Sequence, residues 1–134
     1  MEKLGFGLMR LPQTDPNDPA AVDVEQVKRM VDLFMAKGFT YFDTAIMYNG
    51  FASQRVAKEA LVDRYPRESF FLASKMPSNE LEKRDPADIF EEQLQKCQVE
   101  YFDFYLLHNL NEGSYDIFTD AQKGARSEER RVGK

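Results

Sequence analysis

One cysteine is all that this 134-residue chain contains. A single thiol excludes an internal disulfide framework and any metal centre built from clustered thiolates of this chain. Cys97 falls among the apolar positions of a predicted helix, where it is expected to pack. No apolar run approaches the roughly 20 residues needed to cross a bilayer, and no apolar leader follows Met1. The expectation is a soluble, unexported, cytoplasmic protein with no membrane partner. Positive charge is also scarce: 18 Lys and Arg stand against 23 Asp and Glu, a net charge of −5. That balance supplies no basic face for a nucleic-acid backbone and excludes nucleic acid as a partner. A GxGxxG turn is missing too, because the glycines of "GFGLMRL" lie within a predicted strand, so a Rossmann nucleotide site is not supported.

What is present is a regular alternation. Residues 23–37, "DVEQVKRMVDLFMAK", place Val24, Val27, Met30, Val31, Phe34 and Met35 on one helical stripe, with Asp23 and Gln26 spaced as a capping box and Gly38 just past the end. A second helix is predicted over 53–64, burying Val56, Ala57, Ala60 and Leu61. A third, over 86–98, opens on Asp-Pro and buries Ile89, Phe90, Leu94 and Cys97. Between them lie continuous apolar runs at 5–11, 39–44, 69–74 and 101–108. Such runs, separated by helices, are the pattern of parallel strands buried on both faces. The fold class is therefore α/β, with four parallel strands alternating with three to four helices.

Helix-to-strand links are brief, whereas strand-to-helix links such as "PQTDPNDPAA" and "MPSNELEKRD" are long and polar. In a parallel βα fold these long loops share the carboxyl-end face of the sheet, where sites form. At that face Asp43, Lys75 and His108 close the second, third and fourth runs, and Tyr48 follows Asp43 in its loop. Any one of them alone reads as an ordinary polar strand end. Together they bring a carboxylate, an ammonium, an imidazole and a phenol to one rim. An ammonium close to a phenol favours its anion and makes it a better acid, a carboxylate keeps that cation fixed, and an imidazole can donate to a carbonyl oxygen as charge builds there. The chemistry implied is addition to a carbonyl, with Tyr48 delivering the proton. Nothing among the four supplies a hydride, so a reducing cofactor is required.

The segments "GFGLMRLP", "GFTYFDTAIMYNG", "FFLASK" and "YFDFYLLHN", in this order and spacing, resemble the aldo-keto reductases over roughly residues 4–125. The resemblance implies the amino-terminal half of a (β/α)8 barrel that binds NADP(H) without a Rossmann fold and reduces aldehydes or ketones to alcohols. It assigns the catalytic aspartate, tyrosine, lysine and histidine to Asp43, Tyr48, Lys75 and His108, and contacts to the cofactor to Met9 and Asp43. The branch suggested is bacterial or archaeal, with members that often carry a carboxyl-terminal iron–sulfur segment; with Cys97 alone, no cluster is expected here. Gln54 stands where relatives commonly have Glu.

Residues 1–125 are accordingly expected to form a partial reductase domain, lacking most of the cofactor site and inactive alone. Residues 126–134, "RSEERRVGK", hold four of the eighteen basic residues and read as a charged tail outside it. Two other readings stand beside this one: a non-catalytic binding scaffold, and a truncated reading frame without a function of its own. Open barrel edges would permit self-association.

Overall fold

The structure, a computed structural model, describes residues 2–120. The predicted tail at 126–134 lies outside them. Strand β1 (Gly5–Gly7) leads to helix α1 (Val24–Ala36), then strand β2 (Tyr41–Asp43), a short helical turn α2 (Tyr48–Phe51) and helix α3 (Ser53–Ala57), which widens into a π turn over Lys58–Val62. Strand β3 (Phe71–Pro77), a turn α4 (Ser78–Leu81), helix α5 (Pro86–Cys97), strand β4 (Phe104–His108) and turn α6 (Tyr115–Thr119) complete the described chain. The four strands form one parallel sheet in sequential order, with β3 and β4 paired over five positions from Ala73↔Phe104 to Pro77↔His108. Parallel strands joined in order through helices are the repeating unit of a βα barrel, here in four copies. Among the described residues no helix is long and apolar enough to cross a membrane.

The helices start where their sequence dictates. Asp23 caps α1 by accepting the Gln26 backbone N–H at 3.1 Å, and Asp85 caps α5 by accepting that of Ala87, with Pro86 in the first turn. Gly38, at φ +87°, follows α1 in the left-handed region that releases the chain toward β2. The outer layer packs Val27 and Val31 of α1, Val56 and Ala57 of α3, Ala60 and Leu61 of the π turn, and Ile89, Phe90 and Cys97 of α5 against Phe42, Leu72 and Met76 of the sheet. Met30, predicted on the α1 stripe, is instead exposed. Each fully buried Val, Leu or Phe side chain in such a layer contributes about 1.5–3 kcal/mol. Below the sheet Arg67 ties β3 to β4: it donates to Asp103 at 2.7 Å and to the Tyr101 carbonyl at 3.0 Å, and Asp103 also accepts the Leu72 N–H. This clamp fixes the register on which the site depends.

Several predicted limits move. β1 covers three residues of the expected 5–11, β2 three of 39–44, and β4 starts three residues later than expected. β3 instead runs past its predicted end at 74 to Pro77, so Lys75 lies within the strand rather than closing it. Tyr48 lies in the segment after β2, as expected, at the start of the turn α2, whose Asn49 and Gly50 are not helical (φ 51° and 57°). Burial on both faces holds for β3 but not for β4, whose Phe104 and Leu106 are exposed on the face away from the helices. That inner face carries Tyr41, Phe71 and Phe104 as a layer of rings, with centroids 5.6 Å apart for Tyr41–Phe104 and 6.3 Å for Phe71–Phe104. The polar rim lies further along the strands, one same-face step past the rings at Asp43 and two at Lys75 and His108.

Candidate active site

Asp43 is the last residue of β2, and its register partner on β3 is Ala73. Lys75 stands two residues further on, so both side chains leave the same inner face. Lys75 Nζ donates to Asp43 Oδ1 and Oδ2, each at 2.7 Å, and to the Thr44 backbone carbonyl at 3.0 Å. All three ammonium donors are thereby engaged. The Lys75 side chain retains 12% of its exposure and Asp43 29%, so the pair is partly withdrawn from water.

The ammonium also lies 4.6 Å from the centroid of the Tyr48 ring, within cation–π range. Across from it, the Tyr48 and His108 rings meet edge to face, centroids 5.8 Å apart and planes at 88°. The imidazole is held below its ordinary pKa by burial first and by the Lys75 cation second, with the Asp43 carboxylate opposing both. A neutral imidazole can donate one hydrogen bond without adding a second cation to the rim. Beneath the pair, burial and then the Asp43 charge push the Tyr41 hydroxyl above its ordinary value and keep it protonated. The structure thus brings Asp43, Tyr48, Lys75 and His108 together. Met9, in the segment after β1, is half exposed on the same end of the sheet.

Two of these groups are followed by left-handed asparagines. Asn49 (φ 51°) follows Tyr48 and Asn109 (φ 58°) follows His108. Asparagine is among the few side chains that tolerate this conformation, and here it lets the chain turn sharply just after a rim residue. The Asn109 carbonyl is fixed by Ser114 Oγ at 2.9 Å and Asn111 Nδ2 at 3.0 Å.

Behind Lys75 lies a buried polar network absent from the sequence reading. Gln93 of α5 donates through Nε2 to the Lys75 carbonyl at 3.1 Å and to the Tyr105 hydroxyl at 2.6 Å. Its Oε1 accepts from Ser74 Oγ at 2.6 Å and from Gln54 Nε2 at 2.9 Å. Gln54, noted from sequence as standing where the resemblance puts an acidic residue, acts here as a donor, and its Oε1 is buried without a partner among the described residues. A carboxylate at 54 would face Gln93 Oε1 acceptor to acceptor, which accounts for the amide. A polar residue on the buried stripe of α5 was the signal available in sequence; its partners, 19 and 39 positions away, were not.

Four parallel strands with their helices on one face and four polar groups on one rim define a βα-barrel segment with its site at the carboxyl ends of the strands. The family model described as "Aldo/keto reductase family" matches residues 3–123, and the chain belongs to that family. It is 30% identical to the probable aldo-keto reductase 1 of Glycine max, over 83% of this chain and 34% of that protein. To the putative methylglyoxal reductase of Salmonella typhi it is 31% identical, over 75% of this chain and 34% of the relative. Among solved structures, an aldo-keto reductase from Klebsiella pneumoniae in complex with NADPH superposes with a TM-score of 0.62 at 23% identity, covering 85% of this chain and 39% of that one. The chain spans about a third of the length of the curated relatives it matches.

Proposed function

We propose that the rim of Asp43, Tyr48, Lys75 and His108 is the proton-handling part of a site that reduces aldehydes or ketones to alcohols with NADP(H). The observation carrying this reading is the placement of one ammonium, fully engaged by Asp43 and Thr44, 4.6 Å from a tyrosine ring that itself meets His108. A reduced nicotinamide, when bound, supplies the hydride that the carbonyl carbon accepts. The residues of this chain do the rest. Tyr48 gives its hydroxyl proton to the carbonyl oxygen, Lys75 offsets the phenolate left behind, and Asp43 holds Lys75 in place. His108 hydrogen-bonds the carbonyl oxygen while charge develops and orients the substrate opposite Tyr48.

The donor set fits the reacting end of such a cofactor: a phenol, an ammonium and an imidazole surround one point, and Met9 and Asp43 would face the nicotinamide. The described strand-to-helix turns hold no glycine-rich pyrophosphate cradle. The reading is supported by family membership and by the NADPH complex of the Klebsiella enzyme. Methylglyoxal, named for the Salmonella relative, is a suitable first substrate.

The test is titration of the chain with NADPH by nicotinamide fluorescence, followed by loss of 340 nm absorbance with methylglyoxal. Turnover that disappears in Tyr48→Phe while cofactor binding persists is the result that would carry the proposal, against the expectation from sequence that the chain is inactive alone. Binding without turnover would favour a non-catalytic scaffold, and absence of both would overturn the proposal for this chain.

A further inference from the structure

We infer that Asn49 is the positioning residue for Tyr48, acting as a tether between the Tyr48 turn and the segment that follows β1. Asn49 is 8% exposed and both ends of its amide are engaged over long range. Oδ1 accepts the Leu11 backbone N–H at 3.1 Å, 38 residues away, and Nδ2 donates to the Pro19 carbonyl at 3.2 Å, 30 residues away. The neighbouring Gly50 approaches the same segment so closely that an added Cβ would lie 3.1 Å from the Ala20 backbone nitrogen.

The turn would not hold itself. Asn49, Gly50 and Phe51 are three successive residues at positive φ, 51°, 57° and 70°. Phe51 is 67% exposed, so its bulky side chain gains little burial in return for that conformation. The segment at the other end of the tether is braced. Thr14 N–H donates to the Ala21 carbonyl at 2.8 Å, Asp23 N–H to the Pro12 carbonyl at 2.8 Å, and Asp18 Oδ1 accepts the Ala20 N–H at 3.0 Å. A strained turn tied to a braced segment transmits that segment's position to the residue before it, and that residue is Tyr48. Asn49 touches none of the rim side chains through its amide, so its effect is on where the phenol sits.

The inference rests on the proposed function only for its consequence; its test reads structure and does not need turnover. In the full chain, His108 is the sole histidine, and its imidazole proton signals sense the Tyr48 ring lying across it. Tyr48→Leu supplies the reference signal without that ring. Asn49→Gly keeps the left-handed backbone accessible but deletes both bonds. It should accelerate hydrogen exchange at the Leu11 amide by about tenfold, the loss of one hydrogen bond, and move the His108 signals toward the Tyr48→Leu position. Asn49→Asp keeps the acceptor for Leu11 and should preserve that amide's protection, with a smaller shift at His108. If Asn49→Gly does not fold, Asp18→Ala loosens the bracing from an exposed position and should move the His108 signals in the same direction. Unchanged His108 signals in the folded variant, or an unchanged Leu11 exchange rate, would overturn the inference.

Discussion

Asp43→Asn removes the charge that holds Lys75, and the geometry sets the size of the effect. The ammonium loses two 2.7 Å contacts to a carboxylate and keeps the 3.0 Å contact to the Thr44 carbonyl. An asparagine returns one acceptor, while its amide N–H groups face the ammonium donor to donor. Removing one partner of a fully buried pair costs about 3–5 kcal/mol. Here the Asp43 side chain is 29% exposed against 12% for Lys75, so water recovers part of the loss and about 2–3 kcal/mol is expected. Lys75→Met deletes the less exposed charge and leaves the more exposed one, which should cost about 1–2 kcal/mol. The double variant buries neither charge and should recover about 1.5 kcal/mol of the summed single costs. Urea unfolding of the four proteins at pH 7, followed by circular dichroism, measures this when the m-values agree. A cost below about 0.5 kcal/mol for Asp43→Asn, or single costs that add to within about 0.3 kcal/mol, would refute the picture of a desolvated pair anchoring the rim.

Because Lys75 pushes the His108 pKa down and Asp43 pulls it up, its NMR titration should rise in Lys75→Met and fall in Asp43→Asn; movement in one common direction would contradict the site's electrostatics. The same depression sets a pH dependence of stability: the unfolded chain takes up the proton first, so the contribution of His108 is complete above about pH 6.5 and is lost as pH falls toward the folded value. His108→Gln should therefore show a shallower decline in urea midpoint between about pH 7.5 and 5. Burial pushes the Cys97 thiol up to about 12, so iodoacetamide at about pH 8 should spare the native chain and label it in step with unfolding. Labelling ahead of that transition would show that the α5 face opens locally.

The order of elements was legible because it rests on local signals. Asp23, Asp85, Pro86 and Gly38 mark helix ends by their own chemistry, and the stripes of α1 and α5 repeat at the helical period. Strand ends were not legible in the same way. β3 continues to Pro77 because Met76 and Pro77 find Leu107 and His108 on β4, while β1 pairs at three positions. An apolar run records which residues avoid water, and only a neighbour decides how far the ladder extends. Asp43, Lys75 and His108 could be named from their spacing of one βα unit, since parallel strands in sequential order return each strand end to the same face, and Tyr48 from its place just after Asp43. Asn49 and Gln93 could not. Asn-Gly at 49–50 announces a turn, but nothing local says that the amide reaches Leu11 and Pro19, and Gln93 reads as an isolated exception on an apolar stripe until Ser74, Gln54 and Tyr105 close around it.

The rim is consequently held in two different ways. Asp43 and Lys75 belong to strands, and their backbones are fixed by neighbours in the sheet, with Gln93 supporting Lys75 from behind. Tyr48 follows a strand and depends on a left-handed turn tied to a distant segment, and His108 ends β4 just before another left-handed asparagine. Substitutions in the segment after β1 should therefore displace the phenol while leaving the Asp43–Lys75 contact intact. In the reaction proposed here the charge that must not move is set by the sheet, and the proton donor that must meet a substrate is set by a turn. Division of this kind lets the segments above a βα barrel vary in shape without dismantling the ion pair beneath them.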